Sequence, residues 1–281
     1  MSKRCGVLGD PVEHSLSPAL HRAAYAELEL DWRYEAVRVP AGGLAGFVDG
    51  LDADWRGLSL TKPLKREVVP LLTSQDQWTR LSGVANTLLL DDRGGLHGLN
   101  TDVPGAEAAL AQATDADLRH AVVLGGGATA ASVMLALAER GLEHATLVVR
   151  NPGRAAETVH AVSRHPRRPE VTVASLAALR SVGADVVVST IPPAAQTADV
   201  LAAVREVPVV FDVVYDPWPT PLAAQASAHG HPLVGGLDLL LWQAVDQVRA
   251  MTGRFDVPVD AMRRAGEAGL AERRRGTPPA R

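Results

Sequence analysis

The run Val123-Leu124-Gly125-Gly126-Gly127-Ala128-Thr129-Ala130 sets Gly-x-Gly-x-x-Ala between a strand-like segment and an apolar helix-like one. A dinucleotide turn needs that context: the glycines permit a tight turn and close backbone approach, and helix N-terminal amides stabilise a pyrophosphate. A flexible turn between any strand and helix is the plainer reading; the βα alternation that follows favours the dinucleotide. At the end of the next strand, a site for NAD would carry an acidic residue for the ribose 2′-hydroxyl. Arg150-Asn151-Pro152-Gly153-Arg154 stands there instead. Two guanidinium groups and an amide suit the 2′-phosphate of NADP, the alternative being a solvated basic turn.

A second set of polar residues lies in the first hundred positions. Ser15 and Ser17 precede a helix opened by Ser17-Pro18, where amides and a partial positive charge can hold a carboxylate without a basic side chain. Capping by Ser17 is the simpler reading, and it leaves Ser15 unexplained. Lys65 follows a strand-like segment in Thr61-Lys62-Pro63-Leu64-Lys65, and a desolvated lysine can give and recover the proton that ketone reduction requires. Asp102 in Asn100-Thr101-Asp102 could orient Lys65 or accept from a substrate hydroxyl. On residue types alone, a Lys and an Asp so far apart are two unrelated surface charges, and that plainer reading is the favoured one.

Residue usage adds weight to some of these positions. Of 28 basic residues only Lys3, Lys62 and Lys65 are lysine, and asparagine occurs only at Asn86, Asn100 and Asn151. Where a chain so rich in Ala and Arg still uses Lys or Asn, a chemical requirement is favoured over chance. The formal net charge of -4 provides no field that draws a protein onto nucleic acid or anionic lipid, so neither partner is expected. Nothing calls for a metal. Cys5 is the single cysteine, which excludes an intrachain disulfide. The apolar run after Lys3-Arg4 stops at Asp10-Pro11, too short for a secretory leader, and a cytoplasmic location is expected.

With 281 residues, 47% of them apolar, the chain exceeds the size at which one core keeps growing, and two domains are expected. Strands are read at 6–8, 34–39, 57–60 and 84–90, with a helix from Ser17 to about Leu30 and helical stretches between. A connecting helix at 102–112 leads to a cleaner βα alternation, with strands at 121–124, 145–149, 171–173, 185–189, 209–214 and 232–234. The fold class is therefore α/β: an N-terminal α/β substrate domain (1–102), then a Rossmann-like doubly wound domain (103–234) with parallel strands and right-handed crossovers. Residues 235–270 are expected to be helical and to pack back on the first domain, and 271–281 to form a disordered tail.

Seven segments in register over residues 6 to about 253 resemble the shikimate 5-dehydrogenase family. They are the serine cluster, Thr61 to Lys65, Gly83-Val84-Ala85-Asn86-Thr87, Asn100-Thr101-Asp102, the glycine turn, Asp212 to Pro217 with Thr220-Pro221-Leu222, and Gly236 to Gln243. The resemblance implies reversible NADPH-dependent reduction of 3-dehydroshikimate to shikimate, with Lys65 as acid/base and Asp102 beside it. It implies that Ser15 and Ser17 hold the carboxylate and that Thr61, Asn86, Asp102, Tyr215 and Gln243 bind the substrate. NADP would meet Gly125, Gly126, Gly127, Ala128, Thr129, Ala130, Arg150, Asn151 and Arg154, with Thr190, Val213 and Gly236 near its adenosine or nicotinamide portions. The chain departs from the family pattern at Arg22, Ser59, Lys62, Ala128, Pro192 and Leu239. Two other readings compete: a quinate/shikimate dehydrogenase using NAD, against which Arg150 argues, and a non-catalytic NADP-binding sensor, which would not need Lys65 and Asp102 together. A monomer or homodimer is expected.

Overall fold

The computed structural model of the chain describes residues 2–179 and 183–276. The chain divides into two compact units, one built from residues up to Thr101 together with those from Gln243 onward, the other from Asp102 to Trp242.

In the first unit the elements run β1 (Arg4–Gly9), α1 (Ser17–Glu27), β2 (Arg33–Arg38), α2 (Leu44–Asp49), β3 (Trp55–Leu60), α3 (Leu64–Glu67), β4 (Ser74–Gln75), α4 (Gln77–Ser82), β5 (Thr87–Leu90) and β6 (Leu96–Leu99). They form one mixed sheet in the order β2-β1-β3-β5-β6-β4. Strands β2, β1 and β3 are parallel, β5 is antiparallel to β3, and β6 to β5. One face buries Leu8, Leu58, Leu60, Leu64 and Leu88, and the other buries Cys5, Val7, Tyr25 and Tyr34. This two-sided burial makes Leu58 and Leu88 anchors of the layer rather than surface residues.

Three local differences from the sequence reading have physical causes. Helix α1 ends at Glu27, short of Leu30, because Glu29 takes a left-handed conformation (φ 53°). The Leu30 amide then closes on the Tyr25 carbonyl at 2.8 Å, a helix stop usually signalled by glycine. Strand β5 starts at Thr87 rather than Val84, since the Ala85 amide donates to the Lys65 carbonyl (2.8 Å) instead of joining the ladder. Strands β4 and β6 were not anticipated: Ser-Gln and Leu-His-Gly-Leu hold no β-branched residue and no readable alternation.

The second unit runs α5 (Asp102–Ala113), β7 (His120–Leu124), α6 (Ala128–Glu139), β8 (His144–Val149), α7 (Ala156–Ser163), β9 (Glu170–Ser175), β10 (Val186–Ser189), α8 (Ala198–Ala203), β11 (Val209–Asp212), α9 (Pro221–His229) and β12 (Leu233–Gly235). All six strands are parallel, in the order β12-β11-β10-β7-β8-β9. Val122, Val123, Val186, Val187 and Val188 are buried, as expected for strands covered on both faces. The strand order reverses between β7 and β10, and in such sheets ligands lie beyond the carboxyl ends at that reversal.

Helix α10 (Gly236–Thr252) begins in the second unit and continues into the first, and α11 (Val259–Gly276) packs along α1. The units divide at Trp242/Gln243, eight residues beyond the expected 234/235 boundary. The start of α10 is held in the second unit, with the Trp242 indole donating to Gln112 Oε1 of α5 (3.1 Å). Residues 271–276, expected in a disordered tail, are helical. Arg273, Arg274 and Arg275 in the last turn of α11 complement the negative end of its dipole. Residues 277–281 lie outside the described residues. No helix among the described residues is long and apolar enough to cross a membrane, and none of their His, Cys, Asp and Glu side chains group in threes or more as a metal site would.

Candidate active site

The glycine turn joins β7 to α6 at the reversal of strand order. Gly125 has φ +102°, and a Cβ there would overlap Thr190 Oγ1. Thr190 is fixed by its own bonds: amide and hydroxyl both donate to the Leu124 carbonyl, at 2.9 and 3.0 Å. Gly127 occupies the N-cap of α6 in an extended conformation with no side-chain cap, and a Cβ there would meet nothing within 4 Å. Open space thus fronts the first amides of a twelve-residue helix. The Thr158 hydroxyl donates to the Gly126 carbonyl (3.0 Å), tying α7 to the turn. Ala128 and Thr129 are half-buried and Ala130 is buried.

The other cofactor candidates lie at the carboxyl ends of neighbouring strands. Arg150 is exposed at the end of β8, on the wall of a cavity of about 880 Å³ that also includes Ser175, Thr197, Asp199 and Ala203. Asn151 Oδ1 accepts from the Gly153 amide (3.0 Å), so its carboxamide nitrogen is the end available to a ligand. The side chain of Arg154 lies outside the described residues. Thr190 follows β10, Val213 follows β11 and Gly236 follows β12. A Cβ on Gly236 would overlap the Val213 carbonyl, so glycine alone lets these two segments touch. A glycine cradle, a helix N-terminus and an exposed arginine thus fit a phosphorylated dinucleotide along one edge of the sheet.

The loop carrying Val213 and Tyr215 has its own anchor, which sequence reading missed. Asp212 is fully buried; its Oδ2 accepts from the Thr220 hydroxyl (2.6 Å) and from Gln196 Nε2 (2.8 Å), while Oδ1 accepts from the Val214 amide (3.2 Å). Burial raises its carboxyl above the ordinary aspartate range, offset in part by these donors. Thr220 in turn caps α9, accepting from the Ala223 amide at 3.0 Å. Tyr215 itself is half-buried.

In the first unit the substrate candidates are carried by the loop before α1, α1 itself, the end of β3, α3, the segment before β5 and α10. Ser17 is the first helical residue rather than the expected N-cap: Leu16 holds that place with no side-chain cap, and Ser15 Oγ accepts from the Ser17 amide (3.2 Å). Thr61 is held by its amide to the Leu8 carbonyl (2.9 Å) and fits against Gly9, where a Cβ would overlap its methyl group. Lys65 is half-buried on α3. Its carbonyl accepts from Ala85, the residue before Asn86, which brings two sequence-distant motifs together.

Asn86 is the centre of a buried polar network. It is 2% exposed; its Nδ2 donates to Gln243 Oε1 (3.1 Å) and Thr101 Oγ1 (2.9 Å), and its Oδ1 accepts from the Thr101 amide (2.9 Å) and the Thr87 hydroxyl (2.8 Å). Asn100 is structural: its Nδ2 donates to Ser82 Oγ (2.9 Å) and its amide to Asp76 Oδ2 (3.2 Å), next to the cap of α4. Asp102 follows Thr101 directly and opens α5, where the positive end of the helix dipole favours its charge. Asp102 is buried and belongs, with Tyr215, to the second unit; Ser15, Ser17, Thr61, Lys65, Asn86 and Gln243 belong to the first.

Also missed by sequence reading was Gln247, one turn beyond Gln243 on α10 and buried among Ser59, His21, Asn86 and Thr87. Two glutamines spaced i, i+4 on a mostly apolar helix face were the available signal.

An α/β unit with this buried amide network, joined to a doubly wound unit with a glycine turn, has the architecture of a dinucleotide-dependent dehydrogenase. Residues 7–88 match the shikimate dehydrogenase substrate binding domain, and residues 236–265 the shikimate 5′-dehydrogenase C-terminal domain. A Rubrobacter xylanophilus protein named shikimate dehydrogenase (NADP(+)) is 37% identical over 267 residues, covering 92% of this chain and 94% of its own. The crystal structure of Mycobacterium tuberculosis shikimate dehydrogenase is 37% identical, covers 95% of this chain and 99% of its own, and matches with a TM-score of 0.85. Quinate dehydrogenase from Corynebacterium glutamicum in complex with NAD matches at 28% identity, with coverage of 95% and 99% and a TM-score of 0.86. The chain belongs to the shikimate dehydrogenase family.

Proposed function

We propose that this protein catalyses the reversible, NADP-dependent interconversion of 3-dehydroshikimate and shikimate. The observation that carries the reading is the co-occurrence of a full-length relationship to NADP-dependent shikimate dehydrogenases with Lys65, Asn86 and Gln243 in one unit and Arg150 at the glycine-turn edge of the other. When bound, NADPH supplies the hydride that adds to the ring ketone carbon. Lys65 Nζ gives its proton to the carbonyl oxygen as the C–O double bond becomes a single bond, and regains it from solvent. Ser15 and Ser17 hold the substrate carboxylate, Thr61, Asn86, Tyr215 and Gln243 bind the ring and its hydroxyls, and Asp102 accepts a hydrogen bond from a hydroxyl or from Lys65. Gly125 to Ala130, Asn151, Arg154, Thr190, Val213 and Gly236 line the dinucleotide, and Arg150 takes the 2′-phosphate that NAD lacks.

The net charge of -4 supports a protein that works on a small molecule without nucleic acid, and we read it as a cytoplasmic monomer or homodimer. Assay of shikimate and quinate, each with NADP+ and NAD+, tests the proposal. Shikimate with NADP+ is expected to give the highest kcat/KM, and a clear preference for quinate with NAD+ overturns it.

A further inference from the structure

We infer that Gln247 is a positioning residue for substrate binding, fixing through Thr87 the orientation of the Asn86 carboxamide; the inference rests on the reading of Asn86 and Gln243 as substrate contacts. Gln247 is 1% exposed, and both ends of its amide are engaged. Nε2 donates to the Asn86 carbonyl (3.2 Å) and to Thr87 Oγ1 (2.9 Å). Oε1 accepts from Ser59 Oγ (2.8 Å) and lies 3.2 Å from His21 Nε2.

Two backbone groups determine every proton in this network. A backbone carbonyl can only accept, so the end of Gln247 at Asn86 O is its nitrogen, and the oxygen faces Ser59 and His21. The Tyr34 phenol donates to Ser59 Oγ (2.6 Å), leaving the Ser59 proton for Gln247. His21 therefore presents Nε2–H, and its Nδ1 has no partner. At the other end, a backbone N–H can only donate, so the Asn86 atom at the Thr101 amide is Oδ1. Thr87 Oγ1 stands between the Gln247 nitrogen and that oxygen, accepting from the first and donating to the second (2.8 Å).

The chain of donors runs one way, from Gln247 through Thr87 to Asn86 Oδ1. Its effect is to turn Asn86 Nδ2 toward Gln243 Oε1, so that the amide nitrogen of Gln243 is the end facing away from Asn86. Gln243 and Gln247, one turn apart on α10, grip the side chain and the main chain of the same asparagine. A flipped Asn86 would set its NH2 against two donors inside a buried patch, which the low local dielectric penalises. Cutting the relay releases the Thr87 bond, one of those that oppose the flip.

Steady-state kinetics of the full chain, with thermal unfolding in parallel, tests this. Gln247→Leu is expected to raise the KM for shikimate about tenfold while the KM for NADP+ stays within about twofold. Thr87→Val, which removes only the hydroxyl relay, is expected to raise the shikimate KM about fivefold, and Thr87→Ser, which keeps the hydroxyl, to restore it. If Gln247→Leu does not fold, the two Thr87 variants decide. A lower melting temperature with an unchanged shikimate KM in the Gln247 variant, or equal KM changes in Thr87→Val and Thr87→Ser, overturns the inference. The wild-type control separates the two claims: a wild type that does not turn over shikimate sinks the substrate reading and this inference with it. A wild type that does, beside variants that match it, sinks the inference alone.

Discussion

The hydroxyl of Thr190 occupies the space where a side chain on Gly125 would begin. Thr190 cannot retreat, since its hydroxyl and amide both bond the Leu124 carbonyl, and Gly125 cannot rotate, since its amide donates to the Val148 carbonyl (2.8 Å). The turn that would receive the pyrophosphate is therefore clamped between β7, β8 and the end of β10, and its shape depends on one missing methyl group.

Gly125→Ala should accordingly harm both fold and cofactor site. The new Cβ meets Thr190 Oγ1 at a φ of +102°, which L-residues disfavour. A loss of stability on the order of 2 kcal/mol or more is expected, together with a clear rise in the KM for NADP+. Chemical denaturation and cofactor titration of the variant check it, and wild-type values in both would show that the turn has slack.

Arg150 sits exposed at the end of β8, where a ribose-binding carboxylate would stand in an NAD site. Arg150→Ala should raise the KM for NADP+ about tenfold or more, since a charge-assisted phosphate contact is lost, and change kcat/KM with NAD+ by less than about twofold. Parallel losses with both cofactors would mean that Arg150 serves the turn rather than the phosphate.

Lys65→Ala removes the proposed proton donor. The expected result is a fall in kcat of about a hundredfold or more with a small change in the shikimate KM, as for an acid/base group used mainly in the transition state. Undiminished turnover would remove Lys65 from the mechanism.

The glycine turn and Arg150 stand out in the sequence because their signals are local: each sits at a strand end, flanked by residues whose types disclose the element. Lys65, on α3, is a weak signal by itself and draws its role from the family resemblance. Asn86 was legible as a rare residue, yet its bonds to Thr101 and Gln243 join segments 15 and 157 positions apart, and no periodicity encodes them. Gln247 and Asp212 escaped for the same reason: their meaning lies in partners such as Ser59 and Gln196, brought near by the fold. Strands β4 and β6 escaped because a two-residue edge strand and a Gly-containing one are paired by tertiary context, not by propensity. The arginine run at 273–275 was read as a solvated tail, although the same charges favour a helix end once α11 packs along α1.

His21 makes the stability of the first unit dependent on pH. It is fully buried, stacked on Tyr34 with ring centroids 4.0 Å apart, and its one hydrogen bond goes to the neutral Gln247. Burial pushes its pKa down to about 3 from the usual 6.5, with the Gln247 bond opposing. An unfolded chain therefore takes up a proton below about pH 6.5 that the folded chain refuses until about pH 3, and stability falls steadily as pH drops through that window. At pH 5 the loss from this one group is about 2 kcal/mol relative to pH 7. Other groups titrate in the same range, so the decisive quantity is a difference: the unfolding free energy of wild type minus that of His21→Leu, measured by urea at pH 7 and at pH 5. The His21→Leu chain loses packing and the Gln247 bond at both pH values but carries nothing at position 21 that acidification can charge, so its disadvantage should shrink by about 2 kcal/mol at pH 5. A constant difference would mean that the folded chain takes up the proton as readily as the unfolded one, so that burial does not hold the imidazole neutral.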